Sequence, residues 1–222
     1  MKYFSLINSS EVKEIGVNYP QVGNVINGFD INAKNSFYTV RFYSDKPVEP
    51  GTDINMDGLV LTKGSKKTDL LSVFDLSEGI MVSERMKNAI QKNLVLGPHT
   101  IYPAKLYGKE ISNYYWFHFY MDKTIALDFT LSSFYEEHIF TKLRSLAFEN
   151  KSDFMKYQKN KVDSAKWAAL EKASFQLKSK YDIFNGYYTN AGILVSKKAK
   201  DLFEILQFTG IAYSDKIEIE VS

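Results

Sequence analysis

The chain of 222 residues contains no cysteine, which removes disulfides, cysteine nucleophiles and thiolate metal sites and fits a reducing compartment. Histidine is nearly absent too: His99, His118 and His138 are the full set, and no two stand at a metal-ligand spacing. No apolar run approaches the roughly 20 residues a membrane helix needs. The opening MKYFSLINSSEVKE offers only Phe4 to Ile7, broken by Ser5, where a secretory signal requires a longer apolar stretch. These absences point to a soluble cytoplasmic protein with no membrane partner. Neither sign of charge dominates: 28 Lys and Arg face 26 Asp and Glu, so net charge selects no partner class. Glycine-rich phosphate loops of the G-x-G-x-x-G and G-x-x-x-x-G-K-[ST] kinds are missing, as is a G-x-S-x-G elbow.

Aromatic and apolar residues are plentiful. Fifteen Tyr and sixteen Phe within an apolar fraction of 45% argue for a folded domain with a substantial core. Some of the tyrosines suit a surface that meets another molecule, since each joins apolar area to a polar tip. The organising pattern is a stretch that occurs twice, GIMVSERMKNAI at 79–90 and GILVSKKAKDLF at 192–203. Five of its twelve positions are identical, and the same 113-residue offset carries Gly97 onto Gly210. Each copy reads as a strand, a serine N-cap (Ser83, Ser196) and an amphipathic helix. Ala199, Leu202, Phe203 and Leu206 form one stripe; Met86, Ala89, Ile90 and Leu94 form the other.

Further strands are expected at 2–7, 37–43, 58–62, 99–106, 114–121, 124–130 and 216–221. In 37–43 the face Tyr38, Val40 and Phe42 is the one to bury. Pro103 marks an edge or bulge, and the run YYWFHFYM marks a central strand covered on both faces. Asp122-Lys123 suits a tight hairpin turn, and Asn185-Gly186 another turn. Thr68 to Phe74 reads as a short helix or turn. Ser133-Phe-Tyr-Glu136 fits a capping box opening a helix through Ile139, Phe140, Leu143, Leu146 and Ala147. Residues 151–180 carry eight lysines and a small-residue stripe, Val162, Ala165, Ala169, Ala173 and Leu177, which predicts a basic helix. The sum is α+β, with a mixed or antiparallel sheet and packed helices. It is one globular domain, 1–222, or two interlocked related halves with a boundary near 109–113.

The residues with chemical potential are few. His118 lies among Trp116, Phe117, Phe119 and Tyr120, where a core histidine is the plain reading and a general base the sharper one. Asp128 interrupts an apolar strand, and Glu136 and Glu137 flank His138 without sharing a helical face with it. An enzyme reading needs Asp128, His118 or Glu136 to converge through space. A nucleic-acid reading would join the lysines of 151–180 to the aromatic strand at 114–120 as a stacking platform.

The pieces GIMVSERMKNAI, IYPAKL, YYWFHFY, LDFTLSSF and GILVSKKAKDLFEILQFTGIAY, in this order, cover about residues 75–135 and 190–213. This order resembles the immunity proteins of bacterial polymorphic toxin systems, in the large group of uncharacterised domains with a two-part α+β architecture. The resemblance implies a protein that binds and blocks a cognate toxin, with no catalysis and no cofactor of its own. Many such proteins set an acidic surface against a basic nuclease; this chain is slightly basic, which leaves the toxin's activity open. The shared positions are fold positions, so contact candidates come from exposure arguments instead: Arg41, Tyr43, Trp167, Tyr187 and Tyr188.

Overall fold

The structure, a computed structural model, describes residues 2–40, 53–74, 76, 79–120, 126–139, 141–161, 165–176, 180–186 and 192–221. In chain order the first elements are β1 (Lys2–Asn8), α1 (Val12–Ile15), β2 (Val22–Val25), α2 (Phe37–Val40), β3 (Leu59–Leu61), β4 (Leu70–Leu71), β5 (Gly79–Ser83) and α3 (Glu84–Asn93). Next come β6 (His99–Tyr107), β7 (Ser112–Phe119), β8 (Ala126–Leu127), β9 (Ser133–His138), β10 (Thr141–Leu146) and α4 (Lys151–Lys161). The last are β11 (Lys166–Gln176), β12 (Ile183–Asn185), β13 (Ile193–Ser196), α5 (Lys197–Ile205) and β14 (Ile211–Val221). The fold is α+β, with mixed and antiparallel pairing in its two sheets.

Both sheets follow one strand plan. The six-stranded sheet runs β4-β5-β7-β6-β3-β2, and the eight-stranded sheet contains the path β12-β13-β1-β14-β11-β9. The directions agree at every step, with the single parallel pair at β6–β3 in one and β14–β11 in the other. Strand β1 therefore stands in the second sheet where β7 stands in the first. The stretch 109–113 falls at the turn between β6 and β7, inside the six-stranded sheet. We infer two interlocked halves, the second of which takes its last strand from the start of the chain.

The repeated unit explains the interlock. Ser83 and Ser196 are N-caps, accepting from the amides of Met86 at 3.2 Å and Ala199 at 3.1 Å. Each serine hydroxyl in turn donates at 2.7 Å to a carboxylate 14 residues earlier, Asp69 or Asp182. The same carboxylates reach across to the segment after the other half's helix: Asp69 accepts from the Thr209 amide at 3.0 Å, Asp182 from the Val95 amide at 2.9 Å. Arg85 and Lys198 supply the cations, with Nη2 at 2.5 Å from Asp69 and Nζ at 3.0 Å from Asp182. Gly210 sits where an added Cβ would collide with the Leu70 carbonyl, and its φ of 81° suits glycine.

Alternation along the paired strands splits their side chains between cores. Leu70, Ile80, Val82, Phe117 and Phe119 of one sheet join Leu6, Ile183, Ile193 and Val195 of the other in a shared core with Met86, Ile90, Ala199 and Phe203 of the helices. Leu71, Met81, Tyr114 and Trp116 face a second core, and Tyr3, Phe184 and Leu194 a third. β7 is the central, doubly covered strand its composition indicates. Pro103 lies in β6 just before β3 joins that strand at Leu106, where it interrupts no ladder on the outer side.

Four expectations are corrected. Phe37 to Val40 is a helical turn, not a strand, because Phe37 is fully buried against Phe29 and Phe74. Leu70–Leu71 is a strand, not a helix or turn, held by β5 and by the Thr209 carbonyl. Ser133–His138 and Thr141–Leu146 form the β9–β10 hairpin rather than a helix: Phe134 and Glu136 alternate inward, and the opposite charges of Glu136 and Arg144 face each other across the turn. Residues 151–180 are not one helix. α4 ends at Lys161 and β11 follows, burying Ala168, Leu170, Ala173 and Phe175. The Asp122-Lys123 turn, like Thr124 and Ile125 of the strand expected at 124–130, lies outside the described residues; of the rest of that stretch Ala126–Leu127 forms β8.

Burial opposes ionisation of Asp69, but hydrogen bonds from Arg85, Ser83 and Thr209 outweigh it and hold the carboxyl below its ordinary value of 3.8. Asp182 behaves alike, with burial outweighed by Val95, Ser196 and Lys198. Unfolded carboxylates bind protons more readily, so the stabilisation is complete above the ordinary value and is lost as pH falls through the lower folded values. Asp69→Asn and Asp182→Asn should each cost about 2–3 kcal/mol in urea unfolding at neutral pH. The double variant should show a flatter loss of stability than the wild type below the ordinary carboxyl value of 3.8.

Candidate partner interface

Among the described residues, the eight-stranded sheet carries parts that have no counterpart at the six-stranded sheet: β8, β10 and the helix α4. Asn150 caps α4, its Oδ1 accepting from the Asp153 amide at 3.1 Å. Phe154 and Tyr157 turn inward onto Phe134 and Phe148, in ring contacts of 5.4–5.7 Å between centroids. Gln158 does the work of a strand. Its side-chain amide accepts from the Ala168 N–H and donates to the Ala168 carbonyl, both at 3.0 Å, on the part of β11 that β14 does not reach.

Glu136 is buried in β9 beneath this helix. It accepts from the Tyr157 hydroxyl at 2.6 Å and from Arg144 Nε at 3.0 Å, so the carboxylate is compensated on two sides. Burial first, then the bond to Glu136, push the Tyr157 hydroxyl above its ordinary value of 10. The triad ties β9, β10 and α4 into one unit. It is a structural brace rather than an acid–base pair.

Outside this brace the surface is open. Thr141 to Ser145 are all exposed, and β10 is the end strand of its sheet. Leu131, Ile139, Leu143 and Met155 leave 47–62% of their area in water. Beside α4 lies a groove of about 650 Å³ lined by Met155, Lys156, Gln158, Lys159, Lys166 and Trp167. Apolar floor and ammonium rim together suit an acidic, partly apolar partner.

Among the contact candidates, Trp167 lines this groove. Arg41, Tyr43, Tyr187 and Tyr188 lie outside the described residues. The sequence reading missed Ile139, Leu143 and Met155 because it set their segments on helices with an apolar stripe turned inward. The complementary charges of Glu136-Glu137 and Lys142-Leu143-Arg144 about a short turn were the available signal of a hairpin.

The residues of the enzyme reading do not converge. His118 stands in β7 of the six-stranded sheet, stacked at 4.7 Å on Trp116. Asp128 holds the turn after β8, accepting from the Thr130 amide and hydroxyl, the Leu131 amide and Gln176. Thr130 and Leu131 lead the bonds that hold its carboxyl below the ordinary 3.8. Glu136 is in the brace. Among the described residues no three His, Asp or Glu side chains group as metal ligands, and no helix is long and apolar enough to cross a membrane. Neither a family model nor a curated protein matches this chain.

If Ile139, Leu143 and Met155 serve a partner rather than the fold, replacing each by Lys should shift urea stability by no more than about 0.5 kcal/mol. Tyr157→Phe, which removes the hydroxyl donor to buried Glu136 and leaves Arg144 in place, should cost about 1–2 kcal/mol in the same assay.

Proposed function

We propose that this chain is a non-enzymatic binding protein, an immunity-type inhibitor that acts in the cytoplasm by occluding a cognate bacterial toxin domain, with no cofactor of its own. The observation that carries the reading is the corner of β9, β10, β11 and α4. A rigid sheet edge, exposed aliphatics and a lysine-rimmed groove adjoin there, while the ionisable side chains of Asp128 and Glu136 are spent on structural bonds. A surface of this kind supports binding by shape and charge. Trp167 is the aromatic anchor we assign to it. The mechanism is steric: a folded partner seated here has its active site or substrate path covered.

Lys156, Lys159 and Lys166 beside Trp167 also offer phosphate contacts next to a ring, so RNA is the control partner. Calorimetric titration with the inactivated toxin domain encoded beside the gene should give a one-to-one complex in the nanomolar range, about −12 kcal/mol. Trp167→Ala should weaken it by about 2 kcal/mol, the scale of an anchor residue. Heat from RNA but none from the toxin domain would sink the immunity reading.

A further inference from the structure

We infer that β10 is a strand-addition site, which receives an extended segment of the partner protein in which acidic residues alternate with apolar ones. The inference rests on the binding role proposed above and specifies its contact. Among the described residues the other ends of the two strand paths, β12, β4 and β2, are met on their outer sides, and β8, which pairs only with β11, has just two residues. At β12, the Gly97 amide donates to the Ile183 carbonyl and Leu96 bridges to Ile183. At β4, the Leu70 amide donates to Thr209. At β2, Val22 donates to the Ser72 carbonyl and accepts from Phe74. β10 pairs with β9 on one side, and among the described residues no backbone meets its other side. An edge of this length presents a row of amides and carbonyls ready for another strand.

Charge selects the occupant. A second copy pairing antiparallel about Lys142, Leu143 or Arg144 would set two cations opposite each other, a destabilising arrangement. An acidic strand meets them favourably. Lys142 bonds Glu171 at 2.6 Å and Arg144 bonds Glu136 at 3.0 Å and meets the Tyr157 hydroxyl, and an ammonium and a guanidinium have three and five donors to give. Leu143 and Ile139 supply the apolar contacts. The register shift between Lys142 and Arg144 makes Leu143 an extra residue that twists the edge, so a flat, unselective strand fits it poorly.

The test is amide hydrogen exchange on the complex with the inactivated toxin domain, joined to an NMR titration of the free protein with two capped peptides, Glu-Val and Lys-Val alternating over six residues. Strand addition predicts that amides within 141–146 slow by at least about tenfold in the complex. It also predicts that the Glu-Val peptide shifts the 141–146 resonances and the Lys-Val peptide does not. Lys142→Gln, which removes the charge without setting a carboxylate opposite Glu137, should weaken the Glu-Val response with little change in the unfolding midpoint, since the exposed pair with Glu171 contributes little to stability. A tight toxin complex with unchanged exchange at 141–146 overturns the strand-addition site and leaves the immunity role standing. A Glu-Val response at β10 with no toxin complex overturns the immunity role and leaves the site. Equal response to both peptides removes the charge argument and with it the acidic partner.

Discussion

The structure depends on a carboxylate that serves two halves at once. Asp69 fixes the hydroxyl of Ser83, so that the same oxygen can accept from the first turn of α3, and it holds the Thr209 amide beyond α5. Asp182 does the same for Ser196, α5 and Val95 beyond α3. Each cap is therefore completed by a group that also grips the other half. Arg85 extends the first grip to the Leu206 and Gln207 carbonyls at the end of α5, where a cation is favoured, and lies over the Phe208 ring. With both carboxylates bound, the amphipathic stripes of α3 and α5 meet in one core. Each half keeps a core on its far side, and the core between them is shared.

The same equivalence reaches side chains far from the clamps. Lys87 lies 3.9 Å from the Tyr115 ring, and Lys200 lies 4.4 Å from Phe4, which pairs with Val195 as Tyr115 pairs with Val82. Phe4 belongs to β1, so the first strand of the chain reproduces the contact that β7 makes in the other sheet. Lys2 then comes opposite Glu220, which brings the two ends of the described chain side by side.

Much of this was legible in the sequence, and the reasons for the rest are physical. The serines, the helices and β7 were readable because capping and periodicity are local. The aspartates stand at the same 113-residue offset, as do Lys67 and Lys180, yet the similarity between 67–72 and 180–185 is too low to notice without the partners that give it meaning. β4 has two residues and no periodicity at all; its strand character comes from β5 and Thr209. The 133–147 segment misled because S-x-x-E and apolar residues at spacings of three and four satisfy a helix on paper. The long-range pairing of Glu136 with Arg144, Tyr157 and β11 decided otherwise. Likewise Ala169 and Ala173 fit a helical stripe, and the strand won because β9 and β14 were there to pair with it.

The proposed interface was the least legible part, because an edge is a property of neighbours rather than of residues. Thr141 to Leu146 has ordinary composition, and nothing local says that its outer side is left open. Comparing the two sheets locates it better. Their shared six-strand path ends in β2 on one side and β9 on the other, and β2 is closed off by Ser72 and Phe74. The second sheet instead continues into β10 and carries α4 above it, with Leu131, Ile139, Leu143 and Met155 left in water. Residues common to both halves are bound by the demands of capping and core packing, so they have little freedom to specialise. Residues added to one half are free of those demands. A binding surface that must match one partner is best placed where the duplicated plan stops, and here that is β10 and α4.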